Sequence, residues 1–337
     1  MNKSRIPLSL LFSIILVTQA FSQSEKAFTK KLELTLPDNH LIGAIEWLDV
    51  LGDSYLITDF QQQVFLFKEG TDNLKKLDPR ECFPGFKFQP IHTFHLADSS
   101  LFLFNAGLPG YRFKSNGDCL GSVKKGFIPV PKQHIALGKN DDFFTIQLQP
   151  NEEVILNQYD KNGTRINKYE IKETIFPEFN FRFLGGGLVL HDGIIYYMLT
   201  SGEALHRFDI DNERQLDAIE FSPSYASVMR KDISKDPFSG RMIKEIDKIV
   251  TEHYVVHSIF KLSDRFLLIQ TSFRENDERR YGLHFLDLRT QEIGEAIIEK
   301  QPFIFARDNK AYRINDQREE NTGILNPGIT IYKLINE

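Results

Sequence analysis

The chain has 337 residues, a formal net charge of −5, 41% hydrophobic and 26% charged residues, an ordinary balance for a soluble protein that excludes a basic nucleic-acid footprint. Aromatic residues make up 12%, 29 of them Phe, which favours sheets packed face to face over helices rich in Leu and Ala. Length alone suggests about two domains, unless the chain is a repeat whose units each add a sheet.

Residues 1–22 open with Lys3 and Arg5, continue with the apolar run Leu8–Val17, and end with Ala20 and Ser22 at the small-residue positions of a cleavage site. The apolar part is too short for a stable membrane anchor, so the segment reads as an export signal and the protein as periplasmic or secreted. Removal of Lys3 and Arg5 lowers the charge by two, to −7, which discourages adhesion to anionic surfaces. No cysteine follows the apolar run before Cys82, so lipid attachment is not indicated. The two cysteines, Cys82 and Cys119, could pair in an oxidising compartment. Without a CxxC, neither a redox motif nor a structural zinc site is indicated.

After the leader, Lys30–Leu36 alternates Leu32, Leu34 and Leu36 with polar residues, the pattern of a strand in need of a partner. A repeating grammar follows. Bulky residues end a strand before a polar turn at Phe67, Phe113, Tyr159, Phe208, Leu286 and Tyr332, with steps of 46, 46, 49, 78 and 46 residues. Another turn recurs upstream of each, at Gly52-Asp53, Ala97-Asp98, Asn140-Asp141, Asp192-Gly193, Ser263-Asp264 and Asp308-Asn309, always between two apolar runs. The stretch His191–Phe221 shows the unit most plainly as three short strands separated by Asp-Gly, Ser-Gly-Glu and Asp-Asn-Glu turns, with a further strand in Phe183–Leu190. A strand-built period of this length is the signature of propeller blades. Six copies predict an all-β, six-bladed β-propeller over residues 23–337, with the sixth blade completed by the N-terminal strand.

The long step carries an insertion at about 222–254. Met242, Ile243, Ile246, Ile249 and Val250 are helically spaced there, with Lys244, Glu245, Asp247 and Lys248 on the other face, predicting a helix over Gly240–Thr251. Asn162-Gly163-Thr164 matches a glycosylation sequon but reads first as a hairpin turn. The run Glu275–Arg280 reads as a solvated loop. Gly185-Gly186-Gly187 opens no nucleotide-binding helix and reads as a close approach of backbone.

The period, the six-fold count, the terminal closure and the leader together resemble the six-bladed propellers of the TolB-like and NHL type. Relatives of this architecture that act as lactonases hold a divalent cation with acidic and amide side chains, and copper-dependent lyases use His and Met. This chain offers no matching amide set and only four Met.

Ligands of such a fold bind where the innermost strands converge. The polar residues near those strand starts are Glu46, His92, His134 and His257, with the backbone of Gly185–Gly187. Three histidines and a carboxylate around one axis could hold zinc or a similar cation, or could be ordinary polar residues of the mouth. His95 and His191 read as strand or turn residues of no special role. No GxSxG elbow or phosphate-binding loop is present. The leading expectation is therefore a non-catalytic, monomeric binding or scaffolding module that takes a protein, peptide or glycan on one face and needs no cofactor. The alternative is a metal-dependent hydrolase or lyase with a divalent cation near Glu46, His134 and His257.

Overall fold

The structure, a computed structural model, describes residues 27–82, 91–96, 98–105, 109–126, 134–138, 140–148, 154–171, 185–200, 202–225, 253–315 and 325–335. It begins with β1 (Phe28–Thr35), after which the chain builds its sheets in order. Blade one comprises β2 (Ile45–Leu51), β3 (Ser54–Asp59), β4 (Val64–Lys68) and β5 (Leu74–Leu77), followed by the one-turn helix α1 (Pro79–Cys82). Blade two comprises β6 (Ile91–His95), β7 (Leu101–Asn105), β8 (Pro109–Phe113) and β9 (Cys119–Gly126). Blade three has β10 (Ile135–Leu137), β11 (Phe143–Leu148), β12 (Val154–Tyr159) and β13 (Arg165–Ile171). Blade four has β14 (Gly187–His191), β15 (Ile194–Met198), β16 (Ala204–Asp209) and β17 (Arg214–Glu220). Blade five has β18 (Val255–Lys261), β19 (Phe266–Glu275) and β20 (Glu278–Asp287), with β21 (Glu292–Ile293) and β22 (Ile297–Glu299) both pairing β20. Blade six has β23 (Phe305–Arg307), β24 (Lys310–Asn315) and β25 (Gly328–Leu334), and β1 supplies its outer strand. The chain is a six-bladed β-propeller.

Closure is antiparallel, from Phe28 opposite Leu334 to Thr35 opposite Gly328. The Phe28 ring anchors it, 5.1 Å from Phe303 and 5.6 Å from Phe285. The crossover from β1 to blade one is held by Asn326, whose amide donates to the carbonyls of Pro37 and His40 and whose oxygen accepts from Ile42 N–H.

The core is a ring of inter-blade layers. Successive strand residues point to opposite faces of a sheet, and here both faces are covered. In β4, Phe65 and Phe67 pack toward blade six, whereas Val64 and Leu66 pack toward blade two. The same division recurs around the ring at every blade junction. That is why the strands read as continuous apolar runs instead of alternating ones. Burying each Phe or Leu contributes roughly 1.5–3 kcal/mol.

In five of the six blades the first turn contains a residue at positive φ: Gly52, Ser99, Asp141, Asp192 with Gly193, and Asp308 with Asn309. Asp192 (45°) with Gly193 (77°), and Asp308 (51°) with Asn309 (60°), make the tight hairpins whose twist matches the strands. The same physics corrects one expectation. Glu275–Arg280 is no extended loop: β19 and β20 run up to a two-residue turn at Asn276-Asp277, with φ 51° and 62°. The charges misled because they sit on the exposed tips of two paired strands.

The helix expected over Gly240–Thr251 lies outside the described residues, as do the leader and the anticipated Ala97 turn position. The ends of the insertion are anchored. The Tyr225 ring stacks on Phe273 at 4.3 Å, and the Tyr254 hydroxyl donates to Gly202 O at 3.1 Å. Cys119 is disulfide-bonded, and the other cysteine of the chain is Cys82, at the end of α1. Among the described residues, no helix is long and apolar enough to cross a membrane.

Candidate functional site

The inner strands decide what lines the axis, and their pairing registers can be superposed. In blade one Val50 pairs with Tyr55, which pairs with Phe67; in blade five Lys261 pairs with Leu267, which pairs with Leu286. In this frame Glu46 and His257 occupy the same position. Both are the extra residue of a bulge, between Ile45 and Trp47 in one blade and between Val256 and Ser258 in the other. A bulge leaves its residue outside the ladder and re-aims the side chain. Both side chains are exposed on strands that are otherwise largely buried. In blade four the same position is Gly186, with φ of 86°.

His92 and His134 fall one residue further on in their own blades, by the pairs His95–Leu101–Phe113 and Leu137–Phe143–Tyr159. The four expected residues therefore split into two pairs, Glu46 with His257 and His92 with His134. The side chain of His92 lies outside the described residues. His134 is buried, and its Nε2–H donates to Gly185 O at 2.9 Å. That bond ties blade three to blade four. Desolvation and the nearby Arg279 charge push the pKa of His257 down, although its side chain remains open to solvent. Its ring meets the edge of Tyr281 at 5.6 Å. Among the described residues, no group of three His, Cys, Asp or Glu side chains is placed to hold a metal ion.

The triple glycine performs the close approach expected of it. A Cβ on Gly185 would lie 2.3 Å from Val256 O, and one on Gly186 would lie 2.4 Å from Met198 O. This room lets Gly186 N–H donate to Val256 O at 2.8 Å, joining the inner strands of blades four and five.

The face carrying the strand starts of blade one also carries apolar side chains. Leu41, Phe60 and Leu325 are 64%, 54% and 50% exposed. They belong to one rim: Ile42 bonds Asn326, Phe60 N–H donates to Ala44 O, and the Phe60 ring lies over Gly43. Beside it, a groove of about 490 Å³ is lined by His40, Asn73, Leu74, Lys75, Lys76 and Asp78.

The opposite ends of the inner strands hold a cluster that the sequence did not single out. Asp49 on β2, Ser54 on β3 and His95 on β6 meet between blades one and two. His95 Nδ1 lies 2.9 Å from Asp49 Oδ2, and His95 Nε2 lies 3.0 Å from Ser54 Oγ. Asp49 Oδ2 also accepts from His95 N–H at 2.6 Å, and Arg307 of blade six lies 3.9 Å from Oδ1. Burial pushes the Asp49 carboxyl up, but the bonds from His95 and the Arg307 charge outweigh it and hold the carboxyl below its ordinary range.

Two buried histidines contribute to the acid response of the fold. His134 and His284 are each pushed down to about 4, chiefly by burial. His284 is held by the Tyr225 hydroxyl at 2.7 Å and by Gly294 O at 3.3 Å. Below an unfolded-state pKa near 6.5 the unfolded chain takes up protons that the folded chain refuses. Stability is therefore full above about pH 6.5 and falls as the pH drops toward 4, by roughly 2–3 kcal/mol for each histidine. Thermal melting between pH 7 and 4.5 should show this slope, and His134→Gln should flatten it. An unchanged slope in that variant would remove His134 from the account.

Known proteins give fold and no family. No protein-family description and no curated protein matches the sequence. Solved structures do match. One is a protein of Bacteroides fragilis named for its presumed export, with a TM-score of 0.64 at 11% identity over 92% of this chain and 96% of that one. Another is YCF48 bound to D1 peptide, with a TM-score of 0.50 at 8% identity over 87% of this chain and 78% of that one. Likeness at these identities is likeness of fold.

Proposed function

We propose that this chain is a binding or scaffolding propeller that acts outside the cytoplasm and holds a peptide or protein segment on the face where its inner strands begin. The observation that carries this reading is the repeated bulge. Blades one and five both break their inner-strand ladder at the same register position, and each uses the break to turn a polar side chain, Glu46 or His257, toward solvent. Bulges that re-aim side chains gather at binding sites. The exposed Leu41, Phe60 and Leu325 on the same face add the apolar contact that a peptide-binding surface combines with polar groups.

Support for the ligand class comes from YCF48, a propeller of similar fold solved with a peptide bound. Support for the compartment comes from the leader pattern in residues 1–22 and from the exported naming of the Bacteroides relative in fold. Within the propellers we place the chain with the TolB-like and NHL group, on its blade period and terminal closure. A metal-dependent reading would need Glu46, His134 and His257 around one ion, and among the described residues no group of three such side chains is placed together.

The test is selection of peptides from a displayed library on the immobilised mature chain, followed by affinity measurement against Glu46→Lys and His257→Ala. Each substitution should weaken retained peptides about tenfold or more, or roughly 1.4 kcal/mol. Peptides that bind both variants as tightly as the parent would place the binding surface elsewhere.

A further inference from the structure

We propose that Ser54 is a reactive nucleophile and that Asp49, His95 and Ser54 form an acyl-transfer site for small esters between blades one and two. The proposal is independent of the binding face, which lies at the other end of the inner strands.

Geometry carries it. A nucleophilic serine needs a base within hydrogen-bond reach, and the base needs a third group to fix its ring. Here Asp49 Oδ2 accepts from both His95 Nδ1–H, at 2.9 Å, and His95 backbone N–H, at 2.6 Å. One carboxylate oxygen thus sets both the tautomer and the position of the imidazole. The Nε2 lone pair then faces Ser54 Oγ at 3.0 Å, in position to take its proton. The side chains of His95 and Asp49 are only 1% and 6% exposed, so base and orienter are rigid and dry.

Ser54 differs from them. It is half-buried and directly follows Gly52-Asp53, an exposed tight turn with φ of 62° at Gly52. A relay that served packing alone would have no need to end at the solvent edge. This one delivers its serine oxygen to the rim of an exposed turn, where backbone N–H groups of the turn would have to supply the donors for a developing oxyanion. An open rim suits a small ester over a long acyl chain.

The reaction balances with water as the second substrate. Ser54 Oγ bonds to the acyl carbon as its proton passes to His95 Nε2. The bond from that carbon to the leaving alcohol breaks, and the alcohol oxygen takes the proton from His95. Water then attacks the Ser54 ester, giving a proton to His95. The Ser54 Oγ–acyl bond breaks, Ser54 recovers its proton, and a carboxylic acid leaves.

The test uses an alkyl fluorophosphonate on the mature protein, with the adduct located by mass spectrometry, and p-nitrophenyl acetate as the ester. The expected result is one adduct, on Ser54, together with ester turnover that falls at least about 100-fold in Ser54→Ala. Ser54→Cys should lose the phosphonate adduct and gain rapid alkylation by iodoacetamide. Circular dichroism confirms that each variant is folded before it is assayed. Absence of an adduct on Ser54 under conditions that label a reference serine hydrolase, or equal turnover in folded Ser54→Ala, would overturn the proposal and leave the cluster as an inter-blade tie.

Discussion

Replacing Asn326 with leucine is expected to destabilise the protein by about 3–6 kcal/mol, among the larger effects available to a single side chain. Asn326 is fully buried, and its amide serves three backbone groups: Ile42 N–H at 2.8 Å, Pro37 O at 2.6 Å and His40 O at 2.8 Å. Leucine has similar bulk but would strand all three, each at about 1–3 kcal/mol when left unpaired away from water. The groups lie in the crossover that carries the chain from the closing strand into blade one, so the loss falls on the seam of the ring. Denaturant unfolding should show a lower midpoint with a nearly unchanged slope. Aspartate at 326 keeps the acceptor for Ile42 but sets a carboxyl oxygen against the carbonyls of Pro37 and His40, and at neutral pH should cost at least as much as leucine. A loss under about 1 kcal/mol for leucine would mean that water replaces the amide and that the seam is held by β1 alone.

The second large effect is expected at Asp49. Alanine there would leave the buried His95 with two donors and no acceptor, and would remove the counter-charge near Arg307. Breaking a buried, hydrogen-bonded pair by deleting one partner costs about 3–5 kcal/mol. Since the folded carboxyl is held below its ordinary range, its contribution is present above the unfolded value and fades as the pH falls through the folded one. The parent should therefore lose stability in two acid phases, first as the two histidines protonate and then below about pH 4 as Asp49 does. Asp49→Ala should shrink the second phase, to which other carboxylates held low by their own partners, such as Asp98 and Asp287, also contribute, and should keep the first. An undiminished second phase in that variant would assign it to those other carboxylates alone.

The architecture was legible in the sequence because a propeller repeats its unit. The anchors Phe67, Phe113, Tyr159, Phe208, Leu286 and Tyr332 all fall on the third strand of a blade, and the closing role of Lys30–Leu36 follows from an alternating strand with no sheet of its own. The mouth was only partly legible. Counting along inner strands found Glu46 and His257, but only the pairing register shows that both occupy equivalent bulges and that His92 and His134 do not. The Asp49–His95–Ser54 cluster gave no signal at all. Its members belong to two blades, one repeat apart, and no local motif marks residues that meet only after neighbouring sheets pack.

The ring closure joins residues about 300 positions apart, Phe28 with Leu334, so it is the last contact of the ring to form. Each of the first five blades can assemble from consecutive residues as it appears. Blade six must wait until β25 has been made, and until β1 joins it both strands present unsatisfied edges open to pairing with other chains. The entropic cost of so long a loop rises only slowly with length, and most of it is already met once five blades have stacked and curved the chain back on itself. Closure is therefore a kinetic checkpoint more than a thermodynamic burden: a truncated chain can contain most of its core and still expose a template for aggregation.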